Sequence, residues 1–366
     1  MEICKIGLPK SGKTTVFNAL TRGKSQIAAY APSALEPNIG VAKIKEPRLQ
    51  VLETMFKPKK TTLAEIRYVD IALTARSTRK GSNISGQFLN YLSNANALLH
   101  VVRAFEDENV PHIEDSIDPK RDIAIMDLEL VLSDLVIIER RFERLETLLK
   151  SAKPGERDSF IKEQALLQKI KAGLDKEIPI WQQGLSQEEI RNLTNYQCLT
   201  AKPMLVVINI GEKQLPRSAS IETELRSACR YTSFEVAALC GKLEMELSQL
   251  DDSEAEEFRR ELGLAEPALD RIVRLSHQLL GLISFFTTVS SELKAWTIPR
   301  GTTASQAAGK IHTDIEKGFI RAEVISFDDL NKCDSIAEAK KQGLLRLEGK
   351  NYVVQDGDIV TFLFNI

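Results

Sequence analysis

Residues Gly7-Leu8-Pro9-Lys10-Ser11-Gly12-Lys13-Thr14 make a complete G-x-x-x-x-G-K-[ST] loop. Few folds accommodate this pattern, because it works only between a strand and a helix. The apolar run Ile3, Cys4, Ile6 supplies the strand, and Thr15-Val16-Phe17-Asn18-Ala19-Leu20 supplies the helix. Gly7 and Gly12 let the backbone curl until its N–H groups converge on an anion. The helix N-terminus adds a favourable dipole. In such a loop Lys13 reaches the β/γ-phosphates of a nucleotide and Thr14 offers its hydroxyl to Mg²⁺. Lys10, Ser11, Gly12 and Thr15 are the other expected members of the phosphate cradle.

The rest of the chain suits that loop. Strand-like apolar runs at 64–71, 97–102, Met204–Asn209 and Phe234–Leu239 alternate with helical stretches. The alternation predicts a doubly wound, mostly parallel α/β sheet with helices on both faces. Ligands bind such sheets at the carboxyl ends of the strands, where the loop lies. The sheet is interrupted by a helical insertion. From Asp127 to about Lys150, apolar residues recur at Leu128, Leu132, Leu135, Ile138, Phe142, Leu145 and Leu149, a heptad-like seam. Lys153-Pro154-Gly155 breaks it, and Ile161, Leu167, Ile170 and Leu174 mark a second, antiparallel helix. Charged flanks favour a projecting arm over a pair packed on the core. Ser186-x-x-Glu189 reads as a capping box. From about Ser284, short strands are expected at 294–298, 321–326, 344–347, 352–355 and 359–364, with Asp356-Gly357 as a hairpin turn. The expected domains are a nucleotide-binding domain at 1–126 and 200–280, a helical arm at 127–199, and a C-terminal α+β domain at 284–366.

Composition narrows the chemistry. The formal charge is −2, so no global basic field points to DNA. Five cysteines and four histidines are scattered without C-x-x-C spacing, which argues against a metal cage or disulfide framework and for a reducing compartment. The first strand begins at once, which leaves no room for a signal peptide. No apolar run reaches membrane-spanning length. A cytoplasmic chain with no membrane partner is expected, as a monomer.

Asn209-Ile210-Gly211-Glu212 follows the strand Met204–Asn209. P-loop GTPases carry Asn-Lys-x-Asp at this place, where the Asp accepts from two donors on the guanine edge. Adenine lacks guanine's 2-amino group and offers an acceptor at N1 instead. Ile210 and the longer Glu212 therefore argue for adenine, leaving GTP as the alternative. Leu239-Cys240-Gly241-Lys242 stands where GTPases have Ser-Ala-Lys, and Gly241 can still meet the base through its backbone.

With these motifs in hand, the chain resembles the YchF family of Obg-like ATPases over its full length. The likeness rests on the phosphate loop, on Glu36-Pro37-Asn38-Ile39-Gly40-Val41, on Phe105-Glu106-Asp107-x-Asn109-Val110-x-His112 and on Ile117-Asp118-Pro119. It rests also on residues 311–324 and 347–358. The resemblance implies an Obg-type P-loop domain, an inserted helical hairpin and a C-terminal TGS domain. It also implies Mg²⁺ as cofactor, ATP as ligand, and a ribosome or ribosomal RNA partner in translation or stress control.

Departures from the family cluster near the γ-phosphate. Ala34 replaces a threonine that caps Mg²⁺, and Ser33 replaces a regulatory cysteine. The switch signature Asp-x-x-Gly reads Asp70-Ile71-Ala72-Leu73, followed by Thr74. Asp70 keeps its expected place beside the metal's water shell, while residues 75–86 form a more basic, less glycine-rich loop. Lys10 replaces an asparagine. It is either an internal cation in place of potassium or a solvated loop lysine. His112 matches the family's proposed catalytic histidine, either activating water or serving only as a surface-loop residue. Slow ATP hydrolysis is the first reading. The alternatives are a nucleotide-sensing adaptor with little turnover and a GTP-binding protein.

Overall fold

The computed structural model describes residues 1–21, 23, 37–71, 86–229, 234–264, 266–289, 291–333 and 335–365. Ser33, Ala34, Leu73, Thr74 and nearly all of 75–86 lie outside these residues. The strands are β1 Glu2–Ile6, β2 Asn38–Lys43, β3 Lys60–Thr62, β4 Glu65–Asp70, β5 Ala97–Arg103, β6 Met204–Asn209, β7 Phe234–Leu239, β8 Leu282–Val289, β9 Glu292–Pro299, β10 Phe319–Ser326, β11 Arg346–Glu348 and β12 Asp358–Phe364. The helices that matter here are α1 Lys13–Thr21, α2 Pro47–Phe56, α3 Gly86–Asn94, α4 Pro119–Ser151, α5 Pro154–Leu174, α6 Gln187–Leu193, α7 Ser218–Ala228 and α8 Gly241–Leu247.

One sheet has the order β2-β4-β1-β5-β6-β7, with β1 parallel to β4 and β5, and β5, β6 and β7 parallel in turn. Every residue of β5 and of β6 is buried. Such continuous apolar runs are the mark of strands covered on both faces. The doubly wound expectation is met, and four expected strands become β4 to β7 with shifts of a residue or so.

The chain divides into two compact units, Met1–Val41 with Arg67–Arg271, and Ala42–Ile66 with Ile272–Ile366. The second unit carries a sheet of order β11-β10-β12-β8-β9-β3. Its core includes Phe285, Ile298, Ala322, Val324 and Val360. Two expectations change here. Residues 352–355 form no strand and contribute one isolated bridge, Val353 to Thr303. Asp356-Gly357 therefore turns no hairpin. β12 pairs antiparallel with β10 and parallel with β8. The turn is an anchor instead: Asp356 accepts from the Ser284 N–H at 2.8 Å and pairs with Arg48 at 2.9 Å. Gly357 has φ +91°, and a Cβ there would lie 2.8 Å from the Arg48 guanidinium.

The helical insertion differs in register from the expected seam. α4 starts earlier, at Pro119, capped by Asp118, which accepts from the N–H groups of Lys120 and Arg121. Its first turns bury Ile123, Met126 and Leu130 in the core under the parallel sheet. Only from Val131 does it face α5, through Val131, Ile138 and Leu145 at heptad spacing, with Leu135 and Phe142 between them. Leu167, Ile170 and Leu174 fill the other side. Leu128 and Leu132, expected in the seam, are exposed, because one unbroken helix serves two cores and its buried stripe changes face between them. The break is only Ala152 and Lys153, since Pro154 sits in the first turn of α5, where a missing N–H costs nothing. The capping box at Ser186 and Glu189 forms as expected, with both reciprocal hydrogen bonds present.

Candidate functional site

The loop after β1 is held by the strands beside it. Gly7 has φ +144°, and a Cβ on it would run into the carbonyl oxygen of Val101 on β5. Gly12 has φ +86°, and a Cβ on it would run into Nδ2 of Asn209 on β6. Both motif glycines are thus required by backbone conformation and by close approach. Lys13 donates from Nζ to the carbonyls of Gly7 at 2.9 Å and Leu8 at 2.7 Å. Burial, and then the nearby Lys5 ammonium, pull its pKa down to about 8. Thr14 and Thr15 lie in the first turn of α1, Thr14 exposed. Ser11 is buried and its Oγ has no hydrogen-bond partner among the described residues. Lys10 is exposed, with φ +63°. That left-handed conformation suits asparagine better than lysine.

Asp70 ends β4. It is not a free carboxylate, because Lys5 Nζ lies 2.8 Å from its Oδ2, and the two side chains are 2% and 10% exposed. The β1–β4 register, Cys4 opposite Val69, brings this pair together. The Lys5 ammonium also stands 5.2 Å from the centre of the Phe17 ring. The sequence reading missed Lys5, although a lysine inside an apolar strand is itself a signal. The donor set for a metal is one hydroxyl, Thr14, and one carboxylate, Asp70. Such hard oxygens fit Mg²⁺, which takes its other ligands from phosphate and water.

Asn209 bridges the loops. Its Nδ2 donates to the carbonyl of Ser11 at 3.1 Å, and its Oδ1 accepts from the N–H of Gly241 at 3.0 Å. The side chain is 4% exposed. Through these two bonds Asn209 ties the phosphate loop to the start of α8, and the second N–H of its amide is not used by either of them. Ile210 is buried in the core, its N–H donating to Leu239 at 2.9 Å. Glu212 is exposed, 3.6 Å from Lys242 Nζ. Phe105 joins this group. Its ring lies 3.7 Å from where a Cβ on Gly12 would be, and its own Cβ 3.8 Å from the equivalent point on Gly211. The Arg103 guanidinium sits 4.4 Å from the ring centre. Phe105 therefore flanks the crevice between the phosphate loop and Gly211. The signal in the sequence was an aromatic residue just past the carboxyl end of a sheet strand.

His112 is engaged elsewhere. Its Nδ1 accepts from the Glu114 N–H at 3.1 Å, so the neutral ring carries its proton on Nε2 and donates to Asp122 at 2.8 Å. Arg121 holds the same carboxylate at 2.9 Å. The ring ties its loop to the first turn of α4. His100 is different again. It lies in β5 opposite Ile6 and Val206, fully buried, with no hydrogen bond to either nitrogen among the described residues. Burial pulls its pKa down to about 3.

A family model described as a 50S ribosome-binding GTPase matches residues 2–137, and the YchF-GTPase_C model, described as a protein of unknown function, matches residues 282–365. The chain is 37% identical over 363 residues to the ribosome-binding ATPase YchF of Bacillus subtilis, covering 99% of this chain and 98% of that one. It is 39% identical over 361 residues to the Escherichia coli O157:H7 protein of the same name, with the same coverage. The solved structure of the Schizosaccharomyces pombe YchF GTPase superposes with a TM-score of 0.86 at 28% identity, covering 99% of this chain and 97% of that one. Identity at this level along the whole length, on a shared fold, places the chain in the YchF family.

Proposed function

We propose that this chain binds Mg–ATP, hydrolyses it slowly, and acts as a ribosome-associated switch in the cytoplasm. The observation that carries the reading is the phosphate loop wedged between β5 and β6, with Lys13 beneath it and Glu212 at the base end. Relatives named as ribosome-binding ATPases support the nucleotide and the partner. In this reading the parts of 1–126 and 200–280 that lie in the first compact unit bind the nucleotide, 127–199 form the arm, and 284–366 are a TGS domain, which shares the second unit with 42–66.

The reaction is phosphoryl transfer to water, in which the protein mainly positions groups and neutralises charge. Backbone N–H groups from Lys10 to Thr15 cradle the phosphates, and Lys13 turns from its loop carbonyls to the β/γ oxygens. Thr14 and Asp70 would hold Mg²⁺, which when bound neutralises developing phosphate charge. Glu212 faces the adenine edge, with Phe105 beside the base, while Ile210 packs in the core behind it and Asn209 and Gly241 brace the loops around it. His112, committed at both nitrogens, fixes the loop before α4 rather than activating water. Lys10 is the candidate internal cation, and the potassium dependence of turnover in Lys10→Ala tests it.

The second reading, an adaptor with little turnover, is favoured by one observation, the Lys5 partner on Asp70. ATP and GTP affinities measured with and without Mg²⁺, beside single-turnover hydrolysis, separate the readings. Tight ATP binding without turnover selects the adaptor, and equal or tighter GTP binding ends the adenine assignment. Ribosome co-sedimentation in ATP and ADP tests the partner, and absence in both refutes it.

A further inference from the structure

Lys5 is the residue that the nucleotide reading leaves without a task. It sits in a fully buried stretch of β1, between Cys4 and Ile6, where an apolar side chain would fill the space without cost. A buried ammonium is expensive, and pairing it with a buried carboxylate rarely makes it better than an apolar replacement. Its location is specific. The ammonium lies 2.8 Å from Asp70 Oδ2, on the carboxylate that would face a metal, and near enough to Lys13 for the two cations to repel. The ring of Phe17, from α1, lines the same space 5.2 Å away.

Resting on the nucleotide reading above, we propose that Lys5 is a resident counter-cation at the phosphate site, which makes nucleotide binding by this chain only weakly dependent on Mg²⁺. Without Lys5, Asp70 would present its negative charge toward the phosphates with Lys13 as the other nearby cation, and a divalent cation would be the group left to offset it without drawing on Lys13. Lys5 cancels that charge from inside the protein. The phosphates then meet Lys13 and the loop N–H groups with little opposing field. The same ammonium competes with the metal for Asp70, so the metal gains less by binding there.

The test is direct binding of N-methylanthraniloyl-ADP to the full chain, in excess Mg²⁺ and in EDTA. Wild type is expected to change affinity less than about threefold between the two buffers, and Lys5→Met at least about tenfold. A wild-type loss of roughly tenfold or more in EDTA, or an unchanged ratio in Lys5→Met, overturns the inference. A second readout needs no variant. Mn²⁺ titrated into wild type with ADP and followed by electron paramagnetic resonance should bind no more tightly than to ADP alone. Uptake about tenfold tighter than that overturns the proposal. No binding of the labelled ADP or ATP by wild type in either buffer would end the nucleotide reading and this inference together. Binding with strong Mg²⁺ dependence removes the Lys5 inference alone.

Discussion

Truncating Asn209 separates bracing from base reading. Asn209→Ala deletes two buried hydrogen bonds, to Ser11 O at 3.1 Å and from Gly241 N–H at 3.0 Å. Each is worth about 1 kcal/mol net, but the partners left behind are buried and cost about 1–3 kcal/mol apiece. The expected loss of stability is therefore about 2–6 kcal/mol, measured by urea unfolding. Because Ser11 lies in the phosphate loop, part of that loss falls on ligand binding. Pyrophosphate and ADP should both weaken, each by about 10- to 100-fold in calorimetric titration. Asn209→Asp should be worse for the loop, since it keeps the acceptor for Gly241 but sets a carboxylate oxygen against the Ser11 carbonyl. Glu212→Ala is the contrast: it should change the ratio of ADP to GDP affinity and leave pyrophosphate alone. If Asn209→Ala weakens ADP while pyrophosphate binds as before, the brace argument is wrong and the amide reads the base.

His100 predicts an acid sensitivity. Its pKa of about 3 in the fold lies below its ordinary 6.5, so the unfolded chain binds more protons between those values and stability falls as pH drops through that window. From about pH 7 to about pH 5 this costs wild type about 2 kcal/mol, and urea melts of His100→Leu should lack that share. Lys10→Asn relieves a left-handed lysine at φ +63° and should raise stability by up to about 1 kcal/mol in the same assay; a loss would refute the strain. In the helical hairpin, Ile138→Ala should cost about 2–5 kcal/mol and Leu132→Ala less than about 1, since the first is fully buried and the second 36% exposed. Equal losses would restore the seam expected from the sequence.

The local grammar of the chain was legible where it is strictly local. The phosphate loop, the four sheet strands and the Ser186 capping box depend on near neighbours, and each forms as the sequence predicts. The second sheet was harder. β3 is three residues, Lys60 to Thr62, whose partner is β9, more than two hundred positions away, and nothing in so short a polar segment announces that pairing. β8 is a largely buried apolar run, which periodicity cannot tell from a buried helix. The heptad seam failed at Leu128 and Leu132 because spacing alone cannot say which of two cores each part of α4 faces. At the candidate site, residue types pointed to the phosphate loop, while the partners of each side chain came only with the fold. The pairing of Asp70 with Lys5 and the double engagement of Asn209 and His112 follow from registers and loop packing.

The same α4 has a mechanical consequence. It is unbroken from the Asp118 cap to Ser151, 33 residues, or about 50 Å at 1.5 Å per residue. Its base carries the Arg121, Asp122 and His112 network, and its far half is stiffened by α5. A continuous rod of this kind works as a pointer: turning its base by about 5° swings its tip by about 4 Å. Motions too small to disturb the packing around Ile123 and Leu130 are therefore large at the hairpin's end.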